Sequence, residues 1–355
     1  MAAVDPKQTE RVSWPRSKYS AGFDLIQNPY VRGLPPLSMT QSSMKTIYAL
    51  LLTLWLLPAA ANPTQAVTAK NWIHGSQNCE ESQDPAIDVL AADADTYILR
   101  QNKCIHVEAP FIYVFFGQHT VFIQDTGATE SATQFPIYAT VLRLINERGA
   151  ADNGDRPTIL VTHSHGHSDH TAGDDQFRDQ ANVVLVENQL DAVIGYFDFP
   201  NWPIGETVID LGGRELTLFP IPGHQEASVA VYDTQTQWML TGDTFYPGRL
   251  YVREWDEYKT SIQKLVDFTR KKPVAALMGT HIEMSNTPGE VFDFGLEYQP
   301  NEAALPLTID DLNALNAALI EIGDDPEERI MDKFMIAPVG AVQNFIGRVL
   351  GWIFG

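Results

Sequence analysis

From Tyr97 onward, short apolar runs alternate with amphipathic segments. FIYVFFG (Phe111–Gly117) and HTVFIQDTG (His119–Gly127) are rich in β-branched and aromatic residues and predict two strands joined by a tight turn. In PIYATVLRLINERG the apolar side chains recur at three- and four-residue steps, which predicts a helix over Pro136–Gly149. Pro136 suits its first turn and Gly149 its stop. PTILVTHSH predicts a buried strand, Thr158–Thr162, that runs straight into a histidine-dense loop. Further strands are predicted in ANVVLVEN, in a hairpin around Gly212–Gly213, in a second hairpin in ASVAVYDTQTQWMLTGDT, and in PVAALMGTH. Strands in two sets with interspersed helices predict one layered α/β domain of about 240 residues, over 97–340, with 62–96 as an N-terminal segment.

Two apolar stretches fall outside that domain. The first begins at Met44, where Lys45 makes a short positive region, Ile47–Leu57 an apolar run and Ala59–Ala61 a small-residue cleavage site. Leu and Trp occur on all sides of the run, which leaves a buried amphipathic helix as the weaker reading. Residues 44–61 are therefore expected to be a signal peptide, with a periplasmic or secreted product. Residues 1–43 are read as a mis-called start or disordered extension, with a long cytosolic leader region as the alternative. The second stretch is the tail AVQNFIGRVLGWIFG, where Val342, Phe345, Ile346, Val349, Leu350 and Ile353 fall at helical spacing. An apolar helix over 341–355 is expected to dock on the domain, with peripheral contact at a membrane surface as the alternative.

Charge and cysteines narrow the setting. The formal net charge is −21, and removal of residues 1–61 takes six basic and three acidic side chains, leaving −24. That balance repels phosphate backbones, and no Lys/Arg cluster offsets it, so nucleic acid is excluded as a partner and a small-molecule substrate is expected. In an oxidising compartment the two cysteines, Cys79 and Cys104, become a candidate disulfide; two buried thiols are the alternative.

The chemistry lies in THSHGHSDH, Thr162–His170. In extended chain, side chains at i and i+2 share a side, so His165 and His167 can grip one cation, while Asp169 and His170 can reach a second. His163, at the strand end, is read as a support for the ligands. Other donors stand just past predicted strands on small-residue turns: His224 in FPIPGHQEAS, Asp243 in MLTGDTFYPG and His281 in ALMGTHIEM. Such placement is expected of a site built along one edge of a sheet.

HGHSDH, then PGH, TGDT and GTH in that order, resemble the metallo-β-lactamase-fold superfamily, and VFIQDTGA with Asp125 resembles its early aspartate motif. The likeness spans roughly residues 97–285. It implies a four-layer αββα sandwich with the site between the two sheets. It also implies His165, His167 and His224 at a first metal, Asp169, His170 and His281 at a second, Asp243 bridging both, and Asp125 orienting the loop.

Two divalent cations, with zinc expected from a ligand set of imidazole and carboxylate, would acidify a shared water into a bridging hydroxide nucleophile, with Asp169 shuttling a proton. The substrate expected is a small ester, lactone or thioester. β-Lactamases of the superfamily are similar but carry Cys or Ser at the Asp243 position, which disfavours penicillin hydrolysis. The acidic segment IDDLNALNAALIEIGDDPEE stands where glyoxalase II-like enzymes hold glutathione with basic side chains, which disfavours glutathione thioesters. Tyr246, three residues after Asp243, matches the spacing of a tyrosine that contacts the substrate carbonyl in lactonases of the superfamily; an ordinary packed tyrosine is the alternative. Phe197–Gly205, with Trp202, is a candidate apolar substrate wall or simply core cover. A β-lactamase-like amide hydrolase, a mono-iron sulfur dioxygenase or other oxidoreductase, and a non-catalytic scaffold remain as alternatives.

Overall fold

The computed structural model describes residues 62–149 and 156–339. The expectations for 1–43, for a signal peptide at 44–61 and for a helix at 341–355 concern residues outside the described ones. Helix α1 (Pro63–Ala69), capped by the Asn62 side chain, leads into strands β1 (Ile87–Asp93), β2 (Thr96–Gln101), β3 (Phe111–Phe116) and β4 (Thr120–Gln124). Helix α2 (Ile137–Glu147) returns the chain to β5 (Thr158–Thr162), followed by α3 (Ser168–Thr171), β6 (Val183–Leu185) and α4 (Leu190–Phe197). Next come β7 (Thr207–Asp210), β8 (Glu215–Pro220), β9 (Val229–Asp233), β10 (Trp238–Gly242), β11 (Arg249–Val252) and α5 (Trp255–Thr269). The chain then runs through β12 (Ala276–Gly279), β13 (Pro306–Leu307), α6 (Ile309–Ile322), β14 (Arg329–Ile330) and β15 (Met335–Pro338).

One sheet has the order β1-β2-β3-β4-β5-β6, a second the order β13-β12-β10-β9-β8-β7, and a small third the order β11-β15-β14. The period-two alternation of β3 shows how they pack. Phe111, Tyr113 and Phe115 join a core with Leu218, Val231, Trp238 and Leu240 of the other sheet. Ile112, Val114 and Phe116 face Val141, Leu144 and Ile145 of α2. On the second sheet, Ala230, Tyr232 and Met239 face Ile262 and Leu265 of α5 and Leu312 and Leu315 of α6. Strands buried on both faces read as continuous apolar runs, as they do here. The result is the expected αββα layering.

The folded unit begins earlier than Tyr97, because β1 pairs with β2 from Ile87 to Asp93. At the β7–β8 turn, Arg214 forms a buried two-pronged ion pair with Asp233 at 2.9 and 2.6 Å. The same guanidinium reaches across to the Asp95 carbonyl and the Thr96 hydroxyl of the first sheet. This clasp joins the sheets at the end of β8 remote from His224.

Topology positions the site. Strands β4 and β5 run parallel, as do β10 and β12, so each pair ends at one edge. Asp125 follows β4, the histidine loop follows β5, Asp243 follows β10 and His281 lies just past β12. His224 joins them beyond β8.

Candidate metal centre

The donors converge as two groups. His165, His167 and His224 form one; Asp169, His170, Asp243 and His281 form the other, with ligand atoms in each group within 4.8 Å of one another. His167 Nδ1 lies 2.8 Å from His165 Nε2 and 3.1 Å from His224 Nε2. Asp169 Oδ2 lies 3.1 Å from His170 Nε2 and 3.3 Å from His281 Nε2. Asp243 touches both sides: Oδ2 is 3.8 Å from His165 Nε2, 3.6 Å from His224 Nε2 and 3.5 Å from His170 Nε2, while Oδ1 is 3.3 Å from His281 Nε2.

The outer ring nitrogens decide which way the lone pairs point. His224 Nδ1 lies 2.8 Å from the Tyr251 carbonyl, and His281 Nδ1 lies 2.9 Å from the Glu108 carbonyl. A carbonyl only accepts, so both Nδ1 atoms carry hydrogen and neutral Nε2 presents a lone pair inward. His170 Nδ1 likewise donates to Asp125 Oδ2 at 3.0 Å. The Nε2 atoms of His170 and His281 then face each other at 3.3 Å. Two lone pairs at that distance repel unless a proton or a cation intervenes. The donor set therefore fits metal cations, each ring being oriented by an outer acceptor.

Protons partition unequally between the groups. Burial lowers His165 well below its ordinary range, with the neighbouring His170 adding to the shift. Burial, then His224, brings His167 down to about 4, and burial also lowers His224. For His281 burial opposes the charge, but Asp243 and a hydrogen bond donated to Asp169 raise it to about 9. His170 is raised well above its range against burial, chiefly by Asp169, Asp243 and Asp125. Asp243 and Asp169 are lowered despite burial, by the imidazoles that face them.

A family model described as "Metallo-beta-lactamase superfamily" matches residues 107–281, the stretch that holds all seven of these donors. The chain belongs to this superfamily. Acyl-coenzyme A thioesterase MBLAC2 of Gallus gallus is 26% identical over 207 residues, 49% of this chain and 72% of that protein. Hydroxyacylglutathione hydrolase of Anaeromyxobacter dehalogenans is 28% identical over 181 residues, 48% of this chain and 65% of that protein. A solved metallo-beta-lactamase from Pontibacter korlensis aligns at 16% identity with a TM-score of 0.43, covering 66% of this chain and 99% of its own. This superfamily member is a metal-dependent hydrolase.

Two residues outside the donor groups correct or refine the sequence reading of the superfamily site. His163 turns away, its Nε2 2.8 Å from Asp174 Oδ1, and so supports the loop. Tyr246 was expected at the substrate carbonyl, but its hydroxyl donates to the Arg249 carbonyl and lies 3.0 Å from Glu283 Oε2. Its ring packs edge-on against His281, 5.6 Å between centroids. Tyr246 is thus buried with its hydroxyl engaged by two neighbours, as in the packed-tyrosine alternative. Phe197 and Phe199 are core residues, with Trp202 packed on Phe199.

Two further side chains of the quoted motifs hold the ligands in place. Asp125, at φ +73, accepts the Ser164 amide at 2.6 Å and the Ser164 hydroxyl at 2.9 Å as well as His170. Thr280 donates its hydroxyl to Asp243 Oδ1. Asp125 was expected in this role, and the signal for Thr280 was its place beside His281 in GTH. The Tyr251 and Glu108 carbonyls carry no side-chain signal at all.

Proposed function

We propose that this metal-dependent hydrolase is exported, holds two zinc ions and cleaves thioesters. The central place of Asp243 carries the two-metal reading, because one carboxylate faces the imidazole nitrogens of both groups. When bound, the ions supply Lewis acidity toward water and toward a carbonyl oxygen. His165, His167 and His224 form a neutral cradle for the first ion. Asp169, His170 and His281 bring negative charge to the second, with Asp243 between them. At 18% side-chain exposure, Asp169 is the carboxylate of the centre most open to solvent, and as an ionised acceptor it is suited to orient a water by hydrogen bonding. Tyr246 has no part in the chemistry.

The thioester assignment is supported by the two kinds of curated relatives, one named a thioesterase and the other a hydroxyacylglutathione hydrolase. Export is supported by the signal-like pattern before Pro63 and by a disulfide between Cys79 and Cys104. Elemental analysis of the purified protein should return two zinc ions per chain; one iron, or no metal, sinks the two-zinc reading. A screen of acyl thioesters, lactones, phosphodiesters and a cephalosporin, scored by product release, should favour the thioesters. Preference for any other class reassigns the substrate. Cell fractionation that finds the chain in the cytosol with residues 44–61 attached refutes export.

A further inference from the structure

The carbonyl that orients His281 belongs to a loop tied down covalently. Residues 102–110 connect β2 to β3, and Glu108 in that loop accepts the His281 Nδ1 hydrogen. Ala109, the next residue, is fully buried with φ +43, a left-handed conformation that an alanine adopts only when its surroundings impose it. Within the loop, Lys103 Nζ donates to the Val107 carbonyl at 2.7 Å, and the Ala109 amide donates to the His106 carbonyl at 3.1 Å. These bonds shape the loop without anchoring it.

The covalent anchor is the Cys79–Cys104 disulfide, four residues before Glu108. On its other side, the segment holding Cys79 pairs with the chain that follows His281. Gly75 bridges Tyr298, and the Gln299 amide donates to the His74 carbonyl at 2.9 Å. Disulfide, loop and this pairing form a circuit that passes through His281. In the other group, His224 takes its orientation from the Tyr251 carbonyl instead. Both cysteines are half-buried, within reach of a small reductant.

We propose that the Cys79–Cys104 disulfide is a redox-controlled positioning device for His281, which holds the second cation firmly when closed and weakly when open. The proposal rests on the two-metal reading above. Opening takes two electrons and two protons from an external dithiol, which becomes a disulfide, and leaves thiols at Cys79 and Cys104. The freed loop lets Ala109 relax, the Glu108 carbonyl withdraws, and His281 Nε2 loses its fixed aim.

The test compares zinc-loaded wild type with a Cys79→Ser/Cys104→Ser variant, titrating both with a graded series of chelators and counting zinc retained per chain. The serine pair avoids new thiols that would themselves bind metal. The second zinc is expected to weaken by about 10- to 100-fold, as for loss of an outer-shell partner, with the first within about threefold. Amide hydrogen exchange should quicken at 105–109. A Leu144→Ala variant, which lowers stability under α2 with the disulfide intact, should keep both ions as wild type does. If the serine pair does not fold, the wild-type chain is measured before and after reduction by a phosphine. Two zinc ions in wild type with unchanged retention in the open form, or equal loss of both ions, overturns the inference alone. Fewer than two in oxidised wild type overturns the two-metal reading and the inference with it.

Discussion

The two donor groups share an edge of the fold and one carboxylate, yet they are built from opposite electrostatics. The His165–His167–His224 group is all imidazole, and burial keeps its rings neutral. The Asp169–His170–His281 group sets carboxylates against imidazoles whose proton affinity they raise. Neutral rings make a position ready for a cation at any ordinary pH. The carboxylate-rich position holds more negative charge but must first release protons.

Asp243 is where the comparison breaks most severely. An Asp243→Ala chain loses the one carboxylate that faces the imidazoles of both groups. Hydrolysis should fall by on the order of 10³-fold, the scale for losing a group central to charge stabilisation. Activity equal to wild type would deny that Asp243 joins the groups.

Acidity separates the two positions next. With His281 raised to about 9, a proton occupies the second group below that pH and must leave before a cation binds. Affinity there should fall about tenfold per pH unit for one proton, so roughly 100-fold from pH 9 to pH 7. With His167 at about 4, the first position should stay level until the solution approaches that value. Metal titrations at several pH values check this; parallel slopes for both ions would remove the distinction. Replacing Asp125 by Asn should act on one side only. It removes the charged acceptor of His170 Nδ1, and second-ion affinity should drop about 10- to 100-fold in chelator competition while the first holds.

The histidine loop and the three later donors were legible because each follows a strand in a short, small-residue turn. The helix ending at Gly149 was legible too, and that glycine sits at φ +74 as a left-handed stop requires. Strand β1 was harder to read: its burial runs buried, buried, half, half, exposed, buried, half, with no clean alternation to find. The third sheet depends on β11 meeting β15 across more than eighty residues, a pairing no local pattern records. Tyr246 misled because spacing from Asp243 fixes a position in the chain, whereas the direction of its hydroxyl is set by Arg249 and Glu283.

The smallest effect belongs to that tyrosine. Tyr246→Phe keeps the ring against His281 and removes the hydroxyl that donates to the Arg249 carbonyl beside Glu283. Turnover should stay within about threefold of wild type while stability drops by about 1 kcal/mol, measured by denaturant unfolding. A large loss of turnover would return Tyr246 to the reacting groups.

The Arg214–Asp233 clasp gives the metal positions a second meaning. It holds the sheets together at one end whatever the solution contains. At the other end the first sheet supplies His165, His167, Asp169 and His170, and the second sheet supplies His224, Asp243 and His281. There the closure is on loan from the surroundings. Each ion present at about a thousand times its dissociation constant adds about 4 kcal/mol to the folded state by mass action alone. Scarcity of metal would therefore set how long the chain survives as well as whether it works.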